Sequence, residues 1–441
     1  MPWPIPKMGR PRIFHDSSNG SRLTVYTHFE KSKPIVQKYG GTSVGNAERI
    51  KAIARRAANQ WRQGYKNLAI VVSARAGETN RLVEMVNEVN PDASGIAYDM
   101  ALAAGEQVSV ALMAAALEAE GVKAQPFLAY KLGIYTDDLH AKARIKHINT
   151  KPIEDGWKSG AIAVIAGFQG ITPDMEITTL GRGGSDTSAV ALAVALKAGF
   201  CEINTDVDGV FTADPRIVPE ARLIEELDYE GALEMASLGS KVLHPRCVEL
   251  GAKFNMPIVV RNTFTPDDHR RTRIMTHHEA DSIEALVVSG VTLDRHVAKL
   301  TLTGLHKNST VISEIFAHLG TLGVNVDIIV HDKPEDDHTM RVGFTIAKGD
   351  LDLAKKAIGK LVDDKGYKDL KVSTESGLAK VSVVGTGMRS YSGVAGRTFS
   401  ALTANDIDIH MISTSEIKIS VVVDEKSADK SVAVLHKEFI A

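Results

Sequence analysis

Cysteine is almost missing from this chain: 441 residues contain only Cys201 and Cys247, and neither belongs to a C-x-x-C pair. That excludes a disulfide framework and a paired-cysteine zinc or redox motif, and it points to a reducing compartment, the cytoplasm. No uninterrupted apolar run approaches the roughly 18 residues a membrane-spanning helix needs. Nor is there a surplus of either charge, with Lys+Arg 52 against Asp+Glu 54 and a formal net charge of −2. Neither a membrane nor a nucleic-acid backbone is therefore expected as a partner. What remains, 44% hydrophobic and 24% charged residues, is the makeup of a soluble globular protein in two or three domains.

Residues 1–34 are rich in Pro, Gly and Ser and show neither helical nor strand periodicity, which predicts a flexible N-terminal extension. Its positive charge comes without the amphipathic pattern of a transit peptide or the apolar core of a signal sequence. From residue 35 short apolar strands alternate with amphipathic helices: PIVQKYGG, a helix over 46–63, NLAIVVSA, a helix from about 80, another over 97–120, then AQPFLAY. The alternation continues through AIAVIAGF (161–168), a helix over 185–199, CEINTDV (201–207), helices over 229–238 and 242–254, and PIVVRN (257–262). Such a pattern predicts one α/β domain over 35–275, a parallel sheet covered by helices. Beyond a linker or strand at 276–296 the chain repeats itself. VAKLTLTG (297–304) aligns with LAKVSVVG (378–385), and VNVDII (324–329) with IDIHMI (407–412). Each copy, 297–372 and 378–441, reads as strand, helix, strand, strand, helix.

Four segments carry chemistry. In KYGGTSV (38–44), Lys38 ends a strand and Gly40–Gly41 precede a helix that opens near Asn46. Freed backbone N–H groups and a lysine make a phosphate cradle there, although a tight strand-to-helix turn would use the same residues. It is not a P-loop, since the lysine precedes the glycines. In GRGGSDTS (181–188), the glycines allow close backbone approach, Ser185 or Asp186 is expected to cap the apolar helix behind, and Arg182 offers a planar fork to a carboxylate. NTDVDGVFTADPR (204–216) leaves a strand end bearing Thr205, Asp206, Asp208, Asp214 and Arg216, which suits a nucleotide at the carboxyl edge of a sheet and equally an acidic turn. In GSKVLHPR (239–246), Lys241 would reach a triphosphate, while His244 before Pro245 reads as a buried structural histidine.

Together these segments resemble the aspartate kinases of the amino-acid-kinase family. KYGGTSV is similar to that family's signature, and SARAGETN (73–80), the helix carrying Gly105–Glu106, GFQG (167–170), TTLGRGGSDTSAVALA (178–193), TDVDGVFTADPR (205–216) and GSKVLHPR look like its further blocks in order. The resemblance spans about 35–441. It implies an amino-acid-kinase-like α/β sheet sandwiched by helices, followed by two ferredoxin-like (βαββα) ACT regulatory domains.

The activity implied is phosphorylation of the side-chain carboxylate of L-aspartate by Mg-ATP, giving 4-phospho-L-aspartate and ADP, the first step of aspartate-family biosynthesis toward lysine, threonine, methionine or ectoine. Carried over by resemblance, Lys38, Gly40 and Gly41 would hold the transferring phosphoryl group. Thr205, Asp206, Phe211, Arg216 and Lys241 would line the ATP site. Ser73, Thr79, Glu106, Phe168, Arg182 and Ser185 would hold aspartate, with Asp186 beside the reacting groups. Lys38, Asp186 and Lys241 are the catalytic candidates, and no protein-bound metal beyond the Mg²⁺ carried with ATP is implied. A carboxylate is already a nucleophile at pH 7, so the task is to bring two anions together in line and screen their charge. Arg182 suits the α-carboxylate and Glu106 the α-ammonium group.

The sequence departs from the family pattern in places. Phe211 stands where tyrosine is common, and AYKLGI (129–134) replaces a glycine- and glutamine-bearing stretch. HKNST (306–310) replaces an Asp-x-Pro-Gly turn, and SYSG (390–393) replaces a His-Pro-Gly. The family's ACT effector sites use those turns, so lysine or threonine, if an effector, is expected between repeats near 304–310 and 385–393, where Asn325, Asp327 and Asp408 lie on strands. Two exposed repeats in one chain predict a homodimer or higher multiple built through 295–441. Two other functions would draw on many of the same residues: a sister kinase acting on glutamate or acetylglutamate, and a silent amino-acid sensor. The ACT pair and the aspartate-type blocks oppose the first; intact Lys38, Arg182, Asp186 and Lys241 oppose the second.

Overall fold

The segments Ile35–Tyr39, Leu68–Val72 and Ile162–Ala166 are buried at every position, as strands covered by helices on both faces must be. The computed structural model describes residues 30–240, 242–265, 270–276, 287–306, 310–332, 339–367 and 369–440. It places those segments at the centre of an eight-stranded sheet. The spatial order is Glu226–Leu227, Arg271–Ile274, Ile258–Asn262, Phe200–Thr205, Ile35–Tyr39, Leu68–Val72, Ile162–Ala166 and Ala124–Phe127. All neighbours run parallel except Arg271–Ile274 against Ile258–Asn262.

Successive strand residues point to opposite faces and so feed two cores. Ile35, Tyr39, Leu68, Ile70 and Val72 pack with the helices Ala47–Arg62 and Ile96–Ala119. Val36, Ala69, Val71, Ala163 and Ile165 pack with Gly184–Ala195, Tyr229–Ser237 and Pro245–Phe254. Ile96–Ala119 is long and apolar enough to cross a membrane by length and composition alone. It nevertheless buries Asp99 and Glu106 together with Met113 and Leu117, which marks it as a core helix. The strand order reverses at Ile35–Tyr39, which has Leu68–Val72 on one side and Phe200–Thr205 on the other. At such a switch point a crevice opens beyond the carboxyl ends of the strands. The loops after Tyr39, Val72, Ala166 and Thr205 all leave from that edge.

Three local expectations are corrected. The strand beginning AQPF stops at Phe127; Ala129–Leu132 is one helical turn closed by Gly133 at φ 63°. The helix expected from 242 starts at Pro245, because proline fits the first helical position and His244 serves as the N-cap. A second sheet was missed altogether: Ile145–Ile148, Ile134–Thr136, Gln169–Ile171 and Ile177–Thr179 form four short strands beside the crevice.

The repeats form one six-stranded sheet in the order Val326–Asp332, Thr339–Ala347, Gly290–His306, Lys371–Val384, Lys418–Asp424, Met411–Thr414. The two long central strands run antiparallel, from Gly290 opposite Val384 to Thr303 opposite Lys371. Each therefore lends one end to each βαββα unit. Helices Val311–Thr321 and Leu351–Lys365 cover the first unit, and Val394–Thr403 and Ala428–Phe439 the second, each over its own core. The second core also takes in Ala213 and Val218, next to the acidic loop of the crevice.

Candidate active site

The crevice is built from three loops stitched together by backbone. A Cβ at Gly41 would lie 2.8 Å from the Ala74 carbonyl oxygen, so only glycine lets the 73–77 loop come this close. The Ala76 N–H donates to the Gly41 carbonyl (3.0 Å), the Ser73 N–H to that of Tyr39 (3.1 Å), and the Gly40 N–H to that of Asn204 (3.2 Å). From behind, Arg56 donates to Tyr39 Oη and Asn204 Oδ1, both at 2.7 Å. Lys38 lies over this turn, and its Nζ meets Asp186 Oδ1 at 2.6 Å with both side chains 11% exposed.

Asp186 sits in the first turn of Gly184–Ala195, and here the cap expectation is corrected. The N-cap is Gly183 at φ 67° with no side-chain cap hydrogen bond. Asp186 is thus available to the lysine, and Ser185 lines the crevice beside it. A Cβ at Gly183 would fall 2.2 Å from the His244 ring. The glycine loop therefore rests on His244, whose burial pushes its pKa down. His244 supports the loop and caps Pro245–Phe254 by accepting from the Arg246 N–H at 3.3 Å.

Two cavities open along this edge of the sheet, and the pair of charges lines the first. One, of about 590 Å³, is lined by Lys38, Gly41, Ser73, Thr79, Glu106, Phe168, Arg182, Ser185 and Asp186. Glu106 is 3% exposed and accepts from the Ala74 N–H at 2.9 Å through Oε1, while Oε2 is buried with no hydrogen-bond partner among the described residues. Burial pushes its pKa up to about 7. Phe168 adopts a left-handed backbone at φ 69°, fixed by hydrogen bonds from its N–H to Ser188 Oγ (3.0 Å) and from the Leu180 N–H to its carbonyl (2.8 Å). Arg182 is exposed at the mouth and has no ion-pair partner among the described residues, leaving its fork for a ligand carboxylate.

The other cavity, about 480 Å³, is lined by Thr205, Asp206, Phe211, Asp214 and Arg216. Arg216 lies back on Asp214 at 2.6 Å and holds that carboxyl below its usual range. Its far wall is Val291, Thr292, Leu293 and Arg295 from the strand Gly290–His306, with Val432 from the last helix. Nothing in the sequence pattern announced that wall, because it arises only when the six-stranded sheet docks on the loop. His436 Nε2 reinforces the joint at 2.9 Å from Thr212 Oγ1.

An amino acid kinase family model matches residues 33–262, and an ACT domain model matches 381–439. An aspartokinase of Pseudomonas aeruginosa is 44% identical over 405 residues, covering 92% of this chain and 97% of that one. The chain belongs to the aspartokinases of the amino acid kinase family. Among solved structures, E. coli aspartokinase III in complex with aspartate and ADP superposes on this kinase with a TM-score of 0.77 at 25% identity, covering 93% of this chain and all (100%) of that one. The same E. coli protein in complex with lysine and aspartate gives 0.72 at 26% identity, with the same coverage of 93% and 100%.

For this kinase, every expected aspartate-site residue lines the first cavity together with Lys38 and Gly41, and Thr205, Asp206, Phe211 and Arg216 line the second. Gly40 N–H is spent on Asn204, so Gly40 shapes the turn. Lys241 lies outside the described residues, as does most of the HKNST turn; Gly239, Ser240 and Val242 border the second cavity. The effector candidates were expected on strands, but Asn325 precedes Val326–Asp332 and Asp408 lies in the loop before Met411–Thr414, because both sit where the chain is still entering those strands. All three are exposed, and Asp327, the one on a strand, is ion-paired with Lys380. Its charge is already countered, a pairing between strands far apart in sequence that spacing does not disclose. Among the described residues no three His, Cys, Asp or Glu side chains cluster as a metal site.

Proposed function

We propose that this kinase transfers the γ-phosphoryl group of ATP to the side-chain carboxylate of L-aspartate, giving 4-phospho-L-aspartate and ADP, at the start of aspartate-family amino-acid biosynthesis in the cytoplasm. The observation that carries the reading is the charge layout of the first cavity. A free guanidinium, an orphaned buried carboxylate oxygen and a lysine in one cleft match the α-carboxylate, α-ammonium and reacting carboxylate of one amino acid. Arg182 grips the first, Glu106 Oε2 takes the second, and Lys38 draws the third toward the nucleotide.

The nucleotide occupies the second cavity, with its base against Phe211 and its phosphates running toward Lys38 and Lys241. Both anions meet at Lys38, which screens the charge of the in-line transfer; Asp186 holds that lysine ready when the site is empty. Mg²⁺ bound with ATP supplies further screening. A metal carried on phosphates and water needs few protein ligands, and Asp206, which lines this cavity, would be a carboxylate available to it. We assign 35–275 as the catalytic domain, 276–296 as the link and 297–372 and 378–441 as ACT domains; of the expected 1–34 extension, residues 1–29 lie outside the described residues.

Arg182→Ala is expected to raise the KM for aspartate tenfold or more with little change in the KM for ATP, because the guanidinium grips a group present in ground and transition states alike. Initial rates with each substrate varied check this. A change confined to the KM for ATP would move Arg182 to the nucleotide half.

Regulation follows from the docking of the ACT units. Lys418 pairs with Glu234 at 2.5 Å and Arg389 with Glu230 at 2.5 Å, and Lys142 Nζ lies where a Cβ on Gly323 would be only 3.0 Å away. The outermost strands, Val326–Asp332 and Met411–Thr414, leave Ile329 at 53% and Ile412 at 43% exposed. Such edges suit pairing with a second copy, giving a homodimer. Lysine or threonine bound between units inhibits by favouring one docking arrangement. With HKNST replacing the usual turn, feedback is expected to be weak or of a single type. Titrating lysine and threonine singly and together tests it; strong synergy would contradict the altered-turn argument, and a monomer in sedimentation the interface.

A further inference from the structure

We propose that Asp99 is a positioning residue for substrate: a buried carboxylate that fixes the wall carrying Arg182 at a set distance from Glu106. The proposal rests on the assignment of the 590 Å³ cavity to aspartate. Asp99 is completely buried, at 0% exposure. It lies in the first turn of Ile96–Ala119, where the helix dipole favours negative charge. Its two oxygens accept from every donor that faces them. His140 Nδ1 approaches at 2.9 Å and the Ala141 N–H at 3.1 Å; from the other side come the Thr179 N–H at 2.9 Å and Thr179 Oγ1 at 2.6 Å.

These donors belong to two segments distant in sequence that form the floor of the cleft. Ala141 is held at φ 62°, a left-handed conformation that a non-glycine residue keeps only when its surroundings dictate it. The next contact passes the constraint on: a Cβ at Gly181 would lie 2.8 Å from the Ala141 carbonyl oxygen, so the 141 backbone packs directly on the backbone that precedes Arg182. Ala141, Thr179, Gly181 and Arg182 all border the cleft.

Glu106 lies seven residues after Asp99 on the same helix, two turns along and on the same face, a separation of about 10 Å. One rigid helix thus carries the group for the α-ammonium and the clamp that places the guanidinium for the α-carboxylate. The helix acts as a ruler between the two recognition points of one amino acid. Nothing in the clamp touches the nucleotide cavity, so its loss selectively weakens aspartate recognition.

The test compares Asp99→Asn, His140→Ala and His140→Asn with Arg182→Ala in steady-state kinetics on the full chain. The amide introduced by Asp99→Asn would turn an NH₂ toward groups that are themselves donors, so this variant is expected to raise the KM for aspartate at least tenfold while the KM for ATP stays within twofold. His140→Ala removes one donor and is expected to raise it about threefold to fivefold; His140→Asn, which restores an N–H donor, returns it to within twofold of wild type. A clamp with only a structural role would lower kcat or soluble yield without this substrate-selective split or rescue, and that result overturns the proposal. Should Asp99→Asn fail to fold, the His140 pair decides alone. If Arg182→Ala leaves the KM for aspartate unchanged, the cleft assignment fails; if Arg182→Ala raises it but the clamp variants do not, only the clamp falls.

Discussion

Lys38→Ala is expected to lower kcat by two to three orders of magnitude, the loss typical when a preorganised donor or cation is removed from developing charge, about 3–4 kcal/mol. The lysine and its partner Asp186 are both largely buried and 2.6 Å apart, so the variant leaves an uncompensated carboxylate and also loses thermal stability. The double variant Lys38→Ala/Asp186→Asn removes that carboxylate charge and is expected to regain stability without regaining turnover. Single-turnover rates and melting curves of the three proteins check this. If Lys38→Ala retains activity within threefold of wild type, the lysine does not screen the transferring group. If the double variant regains turnover, the single variant's loss came from the stranded carboxylate instead.

The pH dependence of aspartate recognition is expected to follow Glu106, whose burial pushes its pKa up to about 7. The sign follows directly. Below pH 7 the empty site holds Glu106 mostly neutral, an ammonium ligand needs it ionised, and binding must expel the proton. Both carboxylates of aspartate stay ionised and its amine stays protonated between pH 5.5 and 8. Hence kcat/KM for aspartate is expected to fall about tenfold per pH unit below 7 and to level off above it, while the KM for ATP shows no matching inflection. Aspartate binding at pH 7 likewise releases part of a proton, read as a binding enthalpy that varies with buffer. Glu106→Gln removes the inflection and leaves kcat/KM uniformly low. A wild-type profile flat from pH 5.5 to 8 would remove Glu106 from ammonium recognition.

What the sequence disclosed, and what it hid, divides along physical lines. The strands Ile35–Tyr39, Leu68–Val72 and Ile162–Ala166 were legible because helices on both faces make every position apolar or paired. The repeat announced the two regulatory units, since each needs the same alternation to cover its own sheet. The glycine loops were legible as close-approach sites, and Gly41 against Ala74 is such a site. Strands of three residues, such as Ile134–Thr136 and Ile177–Thr179, show no period, so the small sheet stayed hidden. Ser185 and Asp186 looked like caps because residue type signals a helix start; the backbone at Gly183 performs that task and frees Asp186 for Lys38. Partnerships made by tertiary docking left no local trace: Lys380 on Asp327, the strand from Gly290 behind the nucleotide loop, and the donors gathered around Asp99.

A cleft that recognises both ends of aspartate and delivers its side-chain carboxylate to ATP must reject acceptors that lack either end or hold them at another distance. The most direct measurement is ADP release by the full chain with Mg-ATP and a panel of acceptors, with the acyl phosphate trapped by hydroxylamine. The expected result is rapid ADP release and hydroxamate formation with L-aspartate, and rates at least a hundredfold lower with succinate, which lacks the ammonium group for Glu106, and with L-glutamate or N-acetylglutamate. Equal rates with succinate, or preference for glutamate or its acetyl derivative, would show that the cleft does not read the two ends of aspartate.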